Sequence, residues 1–183
     1  MKESVKMLNR ELLEEKLAKL PLFQYEFIKT EELLFSENIR YICQTECPMY
    51  NKTWACPPGV GEVSECKARV LSYEDALCIT TVTEVNDIAD IEETLATRGP
   101  HEAITRQVRD LVAEQGCETY VLSTEACAHC EDCAYPDEPC RHPEYMFPCV
   151  ESHGIIVTDI AEKHGISFMN GNIVTWFSLI FYR

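Results

Sequence analysis

Residues 173–182, IVTWFSLIFY, form the longest apolar stretch of the chain. Apolar side chains occupy both sets of alternating positions, so an extended segment here would bury both of its faces. The pattern therefore predicts a strand in the interior of a sheet. A stretch of about ten residues is also too short to cross a bilayer, which takes about 20, so we expect no membrane association.

Strand and helix patterns precede this segment along the chain. Residues 76–85, ALCITTVTEV, are rich in β-branched side chains and predict a second strand. Residues 23–30 and 119–123 predict two shorter strands. The spacing of apolar residues predicts helices at 8–20, 62–72, 87–98, 101–115 and 150–164. The predicted fold is α/β, a single domain over residues 1–183, with a mixed sheet flanked by helices and an N-terminal helix within 1–22 packed on it.

Two cysteine-rich loops lie between these elements. The first spans residues 43–61, where proline and glycine residues disfavour a regular element, and the second spans residues 127–149. The order strand, cysteine-rich loop, helix, strand occurs twice, in residues 23–85 and 119–182. We therefore expect both loops to reach the same edge of one sheet.

The 11 cysteines point to metal or redox chemistry rather than to disulfides. Residues 1–20 are charged throughout and lack the continuous apolar core of a signal peptide, so we expect a cytoplasmic protein. Cytoplasmic thiols stay reduced, and clustered cysteines in that compartment are typical of metal sites. The net charge of −15 repels phosphate backbones, which argues against nucleic-acid binding. The same charge suits docking onto a basic partner.

The second loop carries the stronger metal-binding pattern, Cys127-x2-Cys130-x2-Cys133 followed by Cys140. Three cysteines at two-residue intervals let one winding loop present three thiolates to one face of a cubane cluster, and a fourth ligand closes it. Bacterial ferredoxins use the same triple spacing. Zinc ribbons instead use two separated Cys-x2-Cys pairs. The pattern therefore favours a 4Fe–4S cluster, with zinc as the alternative.

The first loop holds three further candidate ligands, Cys43, Cys47 and Cys56, and a proline directly follows two of them. A proline also follows a ferredoxin ligand. Three thiolates are one short of a closed cluster, and three explanations stay open. Cys66 or Cys149 supplies the fourth ligand, the cluster keeps an open iron for a substrate, or the thiols are structural.

Other residues near the loops have competing interpretations. His129 and His142 are either ligands of zinc or of a mixed cluster, or loop side chains that face solvent, which we favour. Cys78 and Cys117 fall in or beside strand patterns, so we expect buried thiols that act as small apolar side chains. Cys66 falls on a predicted helix, and we favour a place in the core for it as well.

Together the two loops resemble a prokaryotic family described as predicted metal-binding proteins. The matching segments are Cys43-x3-Cys47, Trp54-Ala-Cys56-Pro-Pro, Cys127-x2-Cys130-x2-Cys133, Pro139-Cys140-Arg141 and Gly154-Ile155. The resemblance spans roughly residues 23–182 and implies seven ligands, Cys43, Cys47, Cys56, Cys127, Cys130, Cys133 and Cys140. It implies no particular reaction, and a serine is usual in that family where this chain has Cys149.

We therefore expect an iron–sulfur protein with one or two 4Fe–4S clusters that exchanges single electrons with a redox partner protein. Two alternatives stay open. One is an enzyme that binds its substrate at the open iron of a three-cysteine cluster, where the metal acts as a Lewis acid. The other is an interaction domain stabilised by zinc. The pattern of residues does not distinguish a carrier from an enzyme.

Overall fold

Four strands form one antiparallel sheet in the computed structural model, which describes residues 8–168 and 170–183. The strands are β1 (Gln24–Lys29), β2 (Asp75–Glu84), β3 (Thr119–Leu122) and β4 (Ile173–Tyr182). Their order across the sheet is β1-β2-β4-β3. The four strand predictions are confirmed, and β4 has the bounds that the apolar stretch predicts.

The prediction of a mixed sheet is wrong, because each pair of neighbouring strands is antiparallel. β2 and β3 run in the same direction and would be parallel neighbours if they touched. β4 instead lies between them and runs the opposite way. A parallel bridge joins Ser123 to Cys149, beyond the end of β3. The α/β class is confirmed, since helices and strands form one domain.

β4 occupies the interior of the sheet because both of its faces are apolar. It pairs with β2 over all ten of its residues and with β3 over its last four. Its side chains enter two separate cores on the two faces. Phe177, Leu179 and Phe181 belong to one core, and Ile180 and Tyr182 belong to the other.

The described residues form six helices: α1 (Arg10–Leu17), α2 (Glu37–Glu46), α3 (Val63–Val70), α4 (Ile91–Ala96), α5 (Arg98–Ala113) and α6 (Val157–His164). α1 and α5 pack on one core through Leu13, Leu17, Val108 and Val112, and α6 packs on the other through Ile160. The part of the predicted N-terminal helix before residue 8 lies outside the described residues. None of the described helices has the length and apolar character needed to cross a membrane.

Two helix predictions need correction. The helix predicted over 150–164 begins only at Val157, because Gly154 adopts a left-handed conformation with φ of +73° after a short 3-10 turn. The break predicted at Gly99-Pro100 does not occur, and α5 runs through it. A proline in the first turn costs no hydrogen bond, since the first amides of a helix have no partner within it.

The two cysteine-rich loops pack against each other. The first loop occupies residues 47–62, between α2 and α3, and the second occupies residues 123–150, after β3. The indole N–H of Trp54 donates to the carbonyl of Glu138 at 2.9 Å. The same indole meets the ring of Tyr135 edge-on, with centroids 4.9 Å apart. The loops therefore contact each other, although β1 and β3, the strands that precede them, run in opposite directions and so do not end at the same edge of the sheet.

Candidate metal centre

Four of the five cysteines of the second loop line one small cavity, named site 2, of about 20 Å³. Its thiols belong to Cys127, Cys130, Cys133 and Cys140. All four residues are partly exposed, and their segment forms no helix or strand. An irregular segment can wind around a centre in the way that the ligands of a cubane require.

Histidine and aromatic rings cluster at site 2. His129 and His142 both line the cavity, with ring centroids 4.7 Å apart. His129 also stacks on Tyr145, with centroids 4.7 Å apart and an interplanar angle of 11°. His129 is exposed, as expected of a loop histidine, but both histidines share the cavity with the thiols. The rings can therefore shield the thiols from water.

A hydrogen bond connects the sequence neighbours of two of the site 2 cysteines. The guanidinium group of Arg141 donates to the carbonyl of Asp132. Arg141 directly follows Cys140 and Asp132 directly precedes Cys133. The bond therefore brings these two cysteines to the same cavity although six residues separate them in the sequence.

A second cavity, named site 1, is lined by four more cysteines and has a volume of about 340 Å³. Its thiols belong to Cys43, Cys47, Cys56 and Cys149. Three of them are the first group of candidate ligands in the sequence. The fourth comes from the end of the second loop, so site 1 is built from both loops.

α2 was not predicted from the sequence, and it places two thiols of site 1. The helix continues to Glu46, so the prediction that Cys43 lies in a loop is wrong. It ends at Cys47, whose amide donates to the carbonyl of Cys43 at 3.3 Å, and Pro48 follows. Residues four apart on a helix lie on one face, so Cys43 and Cys47 are directed to the same side.

Burial raises the pKa of four thiols, three in site 1 and one in site 2. It raises the pKa of Cys56 to about 11, and the nearby thiols of Cys43 and Cys47 act in the same direction. Burial also raises the pKa of Cys43, Cys127 and Cys149. These thiols are therefore protonated near neutral pH in the metal-free chain, and a metal that binds them displaces their protons.

Among residues 8–168 and 170–183, no three His, Cys, Asp or Glu side chains are grouped closely enough to hold one metal ion. A tetrahedral zinc ion needs its sulfurs about 3.8 Å apart, given Zn–S bonds of about 2.3 Å. A 4Fe–4S cluster takes four thiolates, each on a different iron, and so takes a wider spacing.

Three cysteines lie away from both sites. Cys78 is 1% exposed inside β2, and Cys117 belongs to the core beneath α5. Cys66 is fully buried on α3, with its thiol 3.4 Å from the carbonyl of Val60. The predicted core positions of these cysteines are confirmed. Of the two candidates for a fourth ligand, Cys149 lines site 1 and Cys66 does not.

Arg40 and His153 hold the Cys149 end of site 1, and sequence reasoning did not identify them. The guanidinium group of Arg40 donates to the carbonyl of Ser152 at 2.5 Å. The ring of His153 is hydrogen-bonded to the hydroxyl of Tyr120 at 2.7 Å, and burial lowers the pKa of His153 to about 3. No local spacing marks these residues, because their partners lie 112 and 33 positions away in the chain.

A cleft of about 670 Å³ lies beside site 2. Cys140 and Trp54 line both the cleft and site 2. The side chains of Arg69 and Arg109 add positive charge to walls that also contain Phe147 and other apolar residues. The volume is in the range of small-molecule sites.

Comparison with known proteins gives one match. A family model described as predicted metal-binding protein (DUF2284) matches residues 26–182. No curated protein matches the chain, and no solved structure matches it.

Proposed function

This chain belongs to the family of predicted metal-binding proteins (DUF2284), and from that membership we propose that it is an iron–sulfur protein that transfers single electrons. The observation that supports the proposal most directly is site 2, where the four cysteines of one irregular loop line a single cavity. The spacing of the first three is that of ferredoxin ligands. Four thiolates complete the ligand set of a 4Fe–4S cluster.

Zinc is the competing occupant of site 2, and the arrangement of the loop favours iron and sulfide. A zinc ribbon takes its ligands as two separated pairs, whereas Cys127, Cys130 and Cys133 form one continuous series. The rings of His129 and His142 beside the thiols limit the access of water. Limited solvent access and hydrogen bonds to sulfur are the means by which a protein sets the potential of a cluster.

Electron exchange with a partner protein requires a metal centre close to the surface. Cys47 is exposed, and the thiols of site 2 are partly exposed. Next to Cys43, α2 presents Tyr41 and Ile42 to solvent, with 65% and 49% of their surfaces exposed. An exposed apolar patch of this kind is typical of an interaction surface. The net charge of −15 would steer a basic redox partner towards it in a reducing cytoplasm.

The proposal is tested by reducing the anaerobically purified protein in the absence of any substrate. We expect visible absorbance that bleaches with dithionite and returns on reoxidation, together with an electron paramagnetic resonance signal of the reduced cluster. Cys130→Ser removes a site 2 ligand and should lose the site 2 part of both signals. Cys66→Ser changes a buried thiol outside both sites and should keep them. A colourless protein that contains zinc would refute the proposal.

The cleft beside site 2 favours a second candidate function, an enzyme that reduces or oxidises a small molecule. Its apolar walls suit an aromatic ring, and the guanidinium groups of Arg69 and Arg109 can bind a carboxylate, although Asp137, Glu138 and Glu144 also line the cleft. The probe is 4-nitrobenzoate, which quenches indole fluorescence, added to a Trp176→Phe variant so that Trp54 reports alone. Saturable quenching that Arg109→Gln weakens would favour the enzyme. Quenching that does not saturate and is equal in both proteins would argue against the enzyme and favour the electron carrier.

A further inference from the structure

We infer that Cys149 is the fourth ligand of site 1, so that the protein holds a second cluster that exchanges electrons with the cluster of site 2. The inference rests on the proposed iron–sulfur function and extends it. It names a ligand outside the seven cysteines that the sequence implies. It also gives the chain an internal electron path between two centres.

The placement of Cys149 in site 1 is set by its backbone. Its amide donates to the carbonyl of Ala55 at 3.2 Å, and a parallel bridge pairs it with Ser123. These contacts tie the end of the second loop to the first loop beside Cys56. Cys149 is partly exposed and lines the cavity together with Cys43, Cys47 and Cys56.

The surroundings of site 1 also provide hydrogen-bonding groups for a bound cluster. The hydroxyl of Thr124 is buried and has no hydrogen-bond partner among the described residues, and Thr124 lines the cavity. A buried donor without a partner is costly, and cluster or thiolate sulfur in the cavity would accept its proton. The thiol of Cys149 now donates to the carboxylate of Glu151 at 2.8 Å.

The two sites share walls at two places in the chain. Ala55 lines site 2 and the next residue, Cys56, lines site 1. Likewise Ala126 lines site 1 and Cys127 lines site 2. Consecutive Cα atoms are about 3.8 Å apart. Clusters in the two cavities would therefore be separated by little more than the width of one strand of backbone.

This separation allows an electron to pass directly from one cluster to the other. One electron enters from a reduced one-electron partner protein and reduces the first cluster. It then crosses to the second cluster, so that the first is reoxidised as the second is reduced. An oxidised one-electron partner finally removes it. No bond is made or broken and no proton is needed, so the transfer balances with these two partners alone.

The experiment combines iron analysis with electron paramagnetic resonance of the fully reduced protein. We expect wild type to show the broadened, split spectrum of two interacting spins, because the clusters lie side by side. Cys130→Ser and Cys149→Ala should each show the simple spectrum of one isolated cluster. Where either variant loses its cluster altogether, its iron content should fall to about half, since each site holds four irons. Cys66→Ala is the control and should retain the wild-type spectrum and iron content.

Cyanide binds an iron that lacks a protein ligand, so it tests whether a cluster in site 1 has four protein ligands or three. We expect cyanide to leave the wild-type spectrum unchanged. A site 1 cluster that remains in Cys149→Ala should shift with cyanide, because that variant leaves one of its irons open, whereas the site 2 cluster keeps four ligands and should not shift. Cys149→Ser serves as a second variant if the alanine protein does not fold, and circular dichroism checks the fold of each.

Four results would overturn the inference. Cyanide sensitivity of the wild type would show that one iron is open with Cys149 present. A Cys149→Ala protein that matches wild type in iron, spectrum and cyanide response would show that Cys149 binds nothing. A wild type with four irons whose spectrum lacks any interaction would leave a single cluster, and the proposed function would survive. Absence of iron from the wild type would overturn the proposed function and this inference together.

Discussion

At the scale of single residues, the surroundings of each cysteine separate thiols that pack from thiols that face a cavity. Cys78 is 1% exposed between apolar neighbours of the core, where a free cysteine acts as a small apolar side chain. The strand pattern around it was enough to predict that role. Cys149 could not be assigned in this way, because its contact with Ala55 joins two loops that are far apart in the sequence.

The division of roles predicts opposite effects for two serine substitutions. Cys78→Ser puts a hydroxyl into an apolar site and should lower the free energy of unfolding by about 1–3 kcal/mol, while cluster absorbance per folded molecule stays at the wild-type level. Cys130→Ser should lose the visible absorbance of site 2. Its metal-free form should unfold at the same urea concentration as the metal-free wild type, since Cys130 is partly exposed. Equal losses of absorbance in both variants would contradict the assignment.

The buried ring of His101 should make the free energy of unfolding depend on pH. Its ring is 1% exposed and is hydrogen-bonded to the hydroxyls of Thr81 and Ser178 at 2.9 and 2.7 Å. Burial, with a smaller effect from Arg98, lowers its pKa from 6.5 to about 4. Because the unfolded chain binds the proton more readily, the contribution of His101 is complete above pH 6.5 and is lost as the pH falls towards 4.

Urea unfolding of wild type and His101→Gln at two pH values measures this effect. Between pH 7.5 and pH 5, wild type should lose about 2 kcal/mol more than the variant. His153 is also buried with a lowered pKa, so both proteins should share a further loss. The same pH dependence in the two proteins would show that His101 does not titrate on unfolding.

At the scale of elements, local patterns predicted the strands well and the ends of helices less well. β4 was predicted with its observed bounds, because an apolar run on both faces has one stable place, the interior of the sheet. The helix predicted over 150–164 was interrupted by Gly154, where the chain must pass close to Ser36 and Val63. That close approach involves residues from another part of the chain, so apolar spacing alone could not reveal it.

Gly154 and Gly165 form a matched pair for testing this turn. Both have positive φ, +73° and +63°, but a Cβ at Gly154 would lie 3.0 Å from Val63 and 3.1 Å from the carbonyl of Ser36, whereas one at Gly165 meets nothing within 4 Å. Gly165→Ala should cost about 1–2 kcal/mol for the left-handed backbone alone. Gly154→Ala should cost about 2–4 kcal/mol, since crowding adds to the same strain.

Thermal or urea unfolding of the two glycine variants gives the comparison. The carbonyl of Gly154 also accepts a hydrogen bond from the amide of Ser36, just before α2, at 2.7 Å. Substitution of Gly154 should therefore loosen site 1 as well as lower the stability of the protein. If the two variants were equally stable, the close contacts at Gly154 would not contribute to the cost of its substitution.

At the scale of the whole molecule, charge should govern how the protein meets its partners. The net charge of −15 produces a field that attracts cations and repels anions at low salt. Reduction by the methyl viologen radical, a cation, should slow about tenfold as the salt rises from about 10 mM to about 0.5 M, because the screening length falls from about 30 Å to a few Å. Reduction by the hydroquinone form of anthraquinone-2-sulfonate, an anion, should become faster over the same range. Stopped-flow absorbance measures both rates, and parallel responses would contradict electrostatic steering.

The sequence pattern groups the cysteines of site 2, whereas the cysteines of site 1 are grouped only by the fold. The four thiols of site 2 come from 14 consecutive residues, so their spacing alone indicates that they share a centre. Site 1 joins a helix, one loop and the end of a second loop, and only tertiary packing brings its four thiols together. The sharing of walls between the sites depends on the same packing.

The most direct test of the account is an analysis of iron, acid-labile sulfide and zinc in the anaerobically purified chain. If eight thiols hold two 4Fe–4S clusters, the protein should contain about eight irons and eight sulfides per chain, with zinc well below one equivalent. Zinc at one or two equivalents, with neither iron nor sulfide, would contradict the central claim that these cysteines bind iron–sulfur clusters.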